Sequence, residues 1–521
     1  MRKIYFILTV LVLGVTGMAY LYFSNLNKES SASDSSLNLV TANAPIIFTF
    51  DNDKSFYDIL SKQRVTNELL GVEKSRLLNI LQENLTKNIN LNQLIEKERV
   101  IIGFLSGKAN KVDFILATQT KSKDFDAKIL NQINATVKPE NSFYHVNFGD
   151  SAQCYVTILN QSFFLSNSKE ALQKIAETKI QKNDFKEYVQ QNNRFNKNTL
   201  ASVFIDYANL PSLLKSILNT NLTGELAVFN KQNAYASLSY NFGSDKFLLN
   251  GYTEIKDDKN YFNLFLDQKE QKINIDQLFP EQTANYVIFN VDDYQKWSKA
   301  LKNWQKERKD DEKIELQRKA INEKYRVNID QTFPLYFNKQ FAVLQLKSGE
   351  KLGIIETKNG DKLNQLLLDL SSEYAPDIRI FKEANLMANF FGEPFKKFER
   401  PFYTVIDNHF IFASYASTIQ VFLNSYKNDH LLISTDNYIR FKDQTSSSAT
   451  IAFYINHQNS NDIFSRNLKA PYYKQYKSEK GVKDYNAFGY QLSADNGKFM
   501  SNILLLKKQA KIDIDSLTNK P

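Results

Sequence analysis

Serine and lysine residues at two places have the types and the spacing of a serine acyl-transfer site. Ser166-Asn167-Ser168-Lys169 matches a Ser-x-x-Lys pattern, and Lys347-Ser348-Gly349 matches the Lys-Ser/Thr-Gly element that accompanies it in penicillin-interacting enzymes. In such a site a neighbouring lysine amine activates the serine hydroxyl. The two elements fall in different halves of the chain, and Ser417 takes the place of Lys169 in the second half. The pattern therefore supports only an alternative hypothesis, in which the protein is a serine hydrolase.

Cysteine and histidine give little support for redox or metal chemistry. The chain has one Cys and four His, so it cannot form a disulfide framework or a Cys-rich zinc site, and the His residues share no ligand spacing. We interpret Cys154 as a small buried hydrophobic residue, and His145 and His409 as hydrogen-bonding residues in β-rich sequence. The sequence therefore predicts no catalytic, cofactor-binding or metal-binding residue, no cofactor and no enzyme activity.

The positive charge of the chain is spread thinly. The 521 residues include 66 Lys+Arg and 57 Asp+Glu, for a formal net charge of +9. A nucleic-acid-binding protein concentrates its cations on one face or in one groove. The densest charged run, residues 306–313, contains four charges of each sign, and we interpret it as a solvated helix face. We predict no nucleic-acid partner.

The N-terminus predicts where the protein is located. Residues 4–23 carry no charge and follow two cations, and a helix of twenty residues is about 30 Å long, which matches the hydrocarbon core of a membrane. The positive-inside rule places residues 1–3 in the cytoplasm and the bulk of the chain outside. Small residues within the run leave cleavage open, but the apolar run continues past them and favours an uncleaved signal anchor. We predict a single-pass protein of the inner (cytoplasmic) membrane with a periplasmic body.

Residues 24–40 follow the apolar run, and we interpret them as a Ser-rich linker, because small polar residues cannot bury enough surface to order themselves.

Beyond the linker, the two halves of the chain match each other in a constant order. The matching pairs include Thr41 with Thr283, Tyr155 with Tyr403, Phe164 with Phe412, and residues 272–278 with 511–517. We predict two tandem repeat units, 41–280 and 281–521, with internal boundaries near residues 196 and 446.

Local patterns predict the elements of each unit. The apolar runs 100–105 and 113–117 are separated by a short Ser-Gly turn, which predicts an antiparallel hairpin. Trp297, Leu301 and Trp304 keep helical spacing. The predicted fold class is α+β: a tandem duplication of a unit of antiparallel β-sheets with helices packed on one face, after an N-terminal transmembrane helix.

Four strand-like runs end in an acidic or amide side chain, at Asp51, Asp206, Asp292 and Asn456. Such side chains accept hydrogen bonds from free backbone N–H groups at the start of a helix or turn. We interpret the four residues as caps or turn residues. The alternative is a shared site of four carboxylate-like ligands, but the residues fall in separate copies of one motif.

Two stretches, residues 278–284 and 320–330, are similar to a bacterial family of exported, membrane-anchored proteins known only as a domain of unknown function with internal repeats. The resemblance would cover most of residues 41–510. It implies an envelope location and internal repeats, with no activity to transfer.

Together these observations predict a membrane-anchored extracytoplasmic binding or scaffolding protein with no recognisable catalytic site. Residues 4–23 would hold it in the membrane, and an envelope protein would be its partner. The 39 Phe and 27 Tyr leave a lipid- or glycan-binding carrier of the cell envelope as the first alternative. An unrecognised serine hydrolase is the second. A concave apolar pocket would favour the carrier, and a flatter exposed patch would favour the scaffold.

Overall fold

The computed structural model describes residues 35–53, 98–119, 135–149, 152–159, 162–179, 181–193, 199–220, 232–243, 245–478 and 481–508, with a few isolated positions between residues 54 and 134. The chain forms two compact units, one of residues 1–66 and 72–204 and the other of residues 67–71 and 205–521. Within the described ranges, twenty strands belong to one hydrogen-bonded sheet, and two short strands form a separate pair.

The described strands of the first unit pair antiparallel in the order β1-β2-β3-β7-β6-β5-β4. The elements are α1 (residues 35–41), β1 (Ile46–Asp51), β2 (Arg99–Ser106), β3 (Val112–Gln119), β4 (Thr136–Glu140), β5 (Phe143–Asn147), β6 (Gln153–Leu159), β7 (Ser162–Ser166), α2 (Lys169–Glu177) and α3 (Asp184–Asn192). Strand β8 (Ala201–Asp206) contains the boundary with the second unit.

Helix α1 packs directly on β2. A Cβ atom at Gly103 would lie 2.5 Å from Val40 Cγ1 and 2.7 Å from Ala44 Cβ, so only glycine allows this close approach. Leu37 and Val40 are buried. Residues 35–40, which end the predicted linker, are therefore part of the folded body. The predicted hairpin is confirmed, since β2 and β3 pair with Ile102 opposite Leu116.

The second unit contains the larger part of the sheet, in the order β9-β10-β22-β21-β20-β12-β13-β14-β18-β17-β16-β15, and each neighbouring pair is antiparallel. Its strands are β9 (Ala234–Phe242), β10 (Lys246–Ile255), β11 (Gln271–Lys272), β12 (Thr283–Asn290), β13 (Phe337–Leu346), β14 (Lys351–Thr357), β15 (Ser371–Ala375), β16 (Ile378–Phe381), β17 (Phe402–Ile406), β18 (His409–Ala413), β19 (Ser448–Ala449), β20 (Ile451–Asn456), β21 (Tyr485–Asp495) and β22 (Lys498–Lys507).

The helices of the second unit are α4 (Leu210–Ile217), α5 (Tyr294–Glu307), α6 (Asp311–Tyr325), α7 (Ile329–Tyr336), α8 (Gly360–Leu367), α9 (Leu386–Phe391), α10 (Ala416–Lys427), α11 (Asp436–Asp443), α12 (Asn461–Asn467) and α13 (Ala470–Lys477). The predicted helical spacing of Trp297, Leu301 and Trp304 is confirmed, because all three are buried on α5. The charged run 306–313 is not one helix face. It spans the end of α5 and the start of α6, and Lys309 between them has a φ of 60°.

Helices cover both faces of this sheet. On one face, Phe422 of α10 and Phe441 of α11 belong to the same core as Leu344 of β13. On the other face, the rings of Trp297 on α5 and Phe391 on α9 lie 5.4 and 4.9 Å from the ring of Phe341. Residues 341 and 344 of one strand point to opposite faces, so the sheet is the middle layer of this unit.

The predicted fold class is wrong in its architecture. The sequence analysis expected separate antiparallel sheets in two tandem units, with helices on one face of each, whereas the structure has one sheet of 20 strands and helices on both faces in the second unit. Every residue of strand β12, from Thr283 to Asn290, is buried. Both faces of this strand are therefore covered, which a sheet with helices on one face would not do. A continuous apolar run belongs to a strand covered on both sides, while a strand with one solvated face would alternate.

The described residues include no helix that is long and apolar enough to cross a membrane. The predicted anchor, residues 4–23, lies outside the described residues, so it stays a prediction. The predicted repeat boundaries, near residues 280, 196 and 446, stay predictions as well.

Candidate functional site

Ser166 and Lys169 do not form a nucleophile and base pair. Ser166 is fully buried at the end of β7, and its Oγ donates to the backbone oxygen of Phe114 at 2.6 Å. Lys169 Nζ donates to Glu140 at 2.7 Å, and this hydrogen bond raises the pKa of Lys169, which keeps the amine protonated. A protonated amine cannot accept the serine proton. The geometry therefore gives the serine hydrolase alternative no support at this pair.

Lys347-Ser348-Gly349 is the turn between β13 and β14. Gly349 has a φ of 95°, and its N–H donates to the oxygen of Leu346 at 2.8 Å. Ser348 Oγ accepts the N–H of Glu350 at 3.3 Å. These are the contacts of a tight hairpin turn, in which glycine supplies the positive φ.

Cys154 and His145 have structural surroundings. Cys154 has no exposed surface, and burial raises the pKa of its thiol to about 12, which suppresses the reactive thiolate. The ring of His145 stacks on Tyr155 at 5.0 Å, and its Nε2 lies 3.0 Å from Gln153 Oε1. These contacts fit the interpretation of Cys154 as a small buried hydrophobic residue and of His145 as a hydrogen-bonding residue.

His409 and His457 are both largely buried. Burial lowers the pKa of His409 and lowers the pKa of His457 to about 4. The ring of His457 lies 4.4 Å from the ring of Tyr476 and 6.4 Å from that of Phe464. The His457 ring therefore packs against aromatic side chains of α12 and α13. The described residues contain no group of three or more His, Cys, Asp or Glu side chains that could hold a metal ion.

Two of the four predicted strand-end residues, Asp206 and Asn456, accept hydrogen bonds within turns. Asp206 Oδ1 accepts the backbone N–H of Ala208 at 3.0 Å, and Asn456 Oδ1 accepts that of Asn459 at 3.0 Å. At the start of α5 the helix cap is Asp293, which accepts the N–H groups of Gln295 and Lys296 at 2.7 and 3.2 Å. Asp292, predicted as a cap or turn residue, directly precedes this cap, and its Oδ1 accepts the backbone N–H of Asp293 at 2.9 Å.

The strongest candidate site is a cleft of about 410 Å³ among α5, α6, α7 and α9. We call it the helical cleft. Its lining residues are Tyr294, Gln295, Ser298, Lys299, Leu301, Lys302, Arg318, Asp330, Gln331, Pro334, Leu335 and Phe390. The cleft lies entirely within the second unit.

The base of the helical cleft is apolar and fixed. Tyr294, Leu301 and Phe390 are each buried, and the Tyr294 hydroxyl donates to the backbone oxygen of Phe390 at 2.8 Å. That oxygen belongs to the last turn of α9, where carbonyl groups have no partner within the helix. The hydrogen bond therefore joins α5 to the end of α9.

Arg318 is a buried cation at the base of the helical cleft. Its side chain is 5% exposed, and Nη1 donates to Asp330 Oδ1 at 3.0 Å. Nη2 donates to the backbone oxygen of Asn389, and the guanidinium lies 4.6 Å from the centre of the Phe390 ring. Arg318 thus satisfies another carbonyl at the C-terminal end of α9, where a cation also suits the helix dipole.

The rim of the helical cleft is cationic and partly apolar. Lys299 and Lys302, three residues apart on α5, are exposed and make no ion pair within the described part of the chain. Leu335 on α7, which also lines the cleft, is 55% exposed. With Arg318 and Asp330, the lining carries three cations and one carboxylate.

A second cleft, of about 460 Å³, has the opposite charge. It is lined by Glu281, Asp429, His430, Leu431, Ser434, Thr435, Asp436 and Asn437. The backbone N–H of Glu281 donates to the oxygen of His430 at 2.9 Å, which holds the two chain segments together. Leu431 is the single apolar residue in the lining of this cleft, whereas Leu301, Pro334, Leu335 and Phe390 line the helical cleft.

Comparison with protein-family models, with curated proteins and with solved structures finds no match to this chain. The similarity to a family of exported proteins therefore stays a prediction. The helical cleft is interpreted from its own residues and their contacts.

Sequence reasoning missed the helical cleft, although it contained one signal. Ile314, Ile321 and Tyr325 mark the apolar stripe of α6, and Arg318 falls on the same stripe, four residues after Ile314 and three before Ile321. A charged residue at a buried position of a helix requires a partner. The sequence could have identified Arg318 in this way, but it could not have identified Asp330 as that partner.

Proposed function

We propose that the protein is a membrane-anchored extracytoplasmic binding or scaffolding protein without a catalytic role. Residues 4–23 would anchor it in the inner (cytoplasmic) membrane, with the described body on the periplasmic side. Its partner would be another protein of the cell envelope. Support for the non-catalytic part comes from Ser166, Lys169 and Cys154, whose hydrogen bonds and burial give them structural duties.

The helical cleft is the observation that carries the proposal. Its base is held by the contacts of Arg318 and Tyr294, so the cleft is formed before any partner arrives. Its rim offers Leu335, 55% exposed, beside two lysines without ion pairs. A fixed apolar centre with a polar rim is typical of protein interaction sites.

An anionic lipid is the second candidate, as the lipid-binding form of the carrier alternative. The combination of Lys302 and the exposed Leu335 favours it, because interfacial lipid contacts pair cations with apolar side chains. A glycan has no comparable support, because neither of the two described clefts has an exposed Phe, Tyr or Trp side chain in its lining.

The test is crosslinking of the tagged full-length protein in its native membrane, followed by mass spectrometry of the proteins and the lipids that copurify. The proposal expects a protein partner recovered in a fixed ratio to the tagged chain. Recovery of a lipid without a protein would replace scaffolding by the carrier alternative. Recovery of neither would contradict a binding function, and labelling by a fluorophosphonate or β-lactam probe would contradict the absence of catalysis.

A further inference from the structure

The charges of the helical cleft select among the ligands that it could bind. Lys299 and Lys302 lie on one face of α5 and have no ion pair within the described residues. An anionic partner would therefore be attracted to this helix, and a cationic one would be repelled.

The base of the cleft adds a second requirement. Asp330 is 31% exposed on its side chain, so a carboxylate lies below the two lysines. Its Oδ1 accepts from Arg318 at 3.0 Å, and its Oδ2 accepts from Asn322 Nδ2 at 3.3 Å. A lipid phosphate seated deeply would approach this carboxylate and be repelled by it. A peptide can place carboxylates at the rim and offer backbone N–H groups to Asp330.

The apolar part of the rim gives a third requirement. Leu335 and Pro334 of α7 line the cleft beside Leu301 and Phe390. An aliphatic side chain of a partner that packs against this surface would remove apolar area from water, which favours binding. The exposed amides of Gln295 and Gln331 at the same rim can bond a peptide backbone.

We infer that the helical cleft binds an acidic, aliphatic segment of a partner protein, with its Asp or Glu side chains on Lys299 and Lys302 and an aliphatic side chain against Leu335. The inference rests on the proposed binding function and adds the chemistry of the partner. Recognition of acidic motifs by clustered cations, with apolar anchors in a helix groove, is a recurring mode of peptide binding.

A water-soluble carbodiimide tests the inference, because it joins a carboxylate to a lysine amine only at contact distance. Native membranes containing the tagged full-length protein would be treated with the reagent, and crosslinked peptides would be identified by mass spectrometry. The expected links join Lys299 or Lys302 to Asp or Glu of a partner segment that also contains aliphatic residues. Links from Lys296 or Lys306 instead would overturn the assignment of the cleft.

Two charge-reversal variants complete the test. Lys299→Glu with Lys302→Glu should lower partner recovery about tenfold or more. Lys296→Glu with Lys306→Glu makes the same charge change on exposed positions of the same helix outside the cleft, and recovery should stay within about twofold of the unmodified protein.

The outcomes separate the inference from the function on which it rests. A partner recovered equally with both double variants would overturn the inference and leave the binding function standing. Loss of an anionic lipid, rather than of a protein, on reversal of Lys299 and Lys302 would also overturn it. If the unmodified protein recovers no partner, the proposed function itself fails.

Discussion

Arg318 Nη1 donates to Asp330 Oδ1 at 3.0 Å, and the arginine side chain is 5% exposed while that of the aspartate is 31% exposed. This ion pair joins α6 to α7 below the helical cleft. The same guanidinium donates to the backbone oxygen of Asn389, which ties α9 to the pair. One side chain therefore fixes three of the four helices that form the cleft.

Arg318→Met should lower the free energy of unfolding of the second unit by about 2–3 kcal/mol, because Asp330 and the Asn389 oxygen lose a charged donor. Urea unfolding followed by tryptophan fluorescence measures this, since Trp297 and Trp304, the two tryptophans of the chain, lie in this unit. Lys319→Met is the control. Lys319 makes an exposed pair with Glu323 at 3.9 Å, worth less than about 0.5 kcal/mol, and equal effects of the two variants would contradict the prediction.

Asp276 is a buried acidic residue whose partners can be tested. Its side chain is 2% exposed, and Oδ2 accepts from the Tyr438 hydroxyl and from Lys442 Nζ, both at 2.7 Å. Asp276→Asn should cost about 2 kcal/mol of unfolding free energy, because Lys442 loses its counter-charge and two charged hydrogen bonds weaken.

The double variant Asp276→Asn with Lys442→Met, compared with each single variant, checks that the effect is shared between the two residues. Removing both charges should cost less than the sum of the two single changes, as in other buried pairs. Strict additivity of the measured free energies would show that Asp276 and Lys442 act independently, against the prediction.

The stability of the second unit should fall as the pH falls from about 6.5 towards 4. Burial lowers the pKa of His457 to about 4 from its ordinary value of 6.5, so between these values the unfolded chain binds a proton that the folded chain does not. This contribution is complete above pH 6.5 and decreases as the pH falls. His409, whose pKa burial also lowers, contributes in the same direction.

Urea midpoints at pH 7.5 and pH 4.5 measure the effect. His457→Gln should reduce the difference between the two midpoints, because glutamine does not titrate. His145→Gln is the matched control in the first unit, where the histidine stacks on Tyr155. A pH dependence that is unchanged in His457→Gln would contradict the prediction.

The predicted signal anchor at residues 4–23 implies a membrane topology and an uncleaved N-terminus. Alkaline phosphatase fused after Pro521 should be active, because the enzyme folds only outside the cytoplasm and the positive-inside rule places the C-terminus there. The mass of the membrane-bound protein should include Met1. An inactive fusion would contradict the topology, and a mature chain that starts after Ala19 would show cleavage.

Local elements were predictable from the sequence, but their pairing was not. The apolar run that became β2 and the stripe of Trp297, Leu301 and Trp304 on α5 depend on neighbours within one element. The pairing of Gly251 on β10 with Ser501 on β22 joins residues 250 positions apart in the chain, and no local periodicity specifies such a register. The matches between the two halves do fall on strands, with Tyr155 on β6 and Tyr403 on β17.

The helical cleft was harder to predict than the fold for a similar reason. Each of its residues is ordinary in its own segment. Lys299 belongs to a charged amphipathic helix, and Leu335 lies in the last turn of a short helix. The tertiary contacts of Arg318 with Asp330 and Asn389, together with that of Tyr294 with Phe390, bring α5, α6, α7 and α9 together. The exposure of Leu335 at the cleft follows from that arrangement and not from its sequence neighbours.

The central claim, that the helical cleft is the binding site, is tested most directly by site-specific photo-crosslinking. Leu335, 55% exposed in the cleft, and Leu316, 69% exposed on α6 outside it, would each be replaced by p-benzoylphenylalanine in the full-length protein in native membranes. The account predicts a protein adduct from position 335 and none from position 316. Adducts from position 316 alone, or equal adducts from both positions, would contradict it.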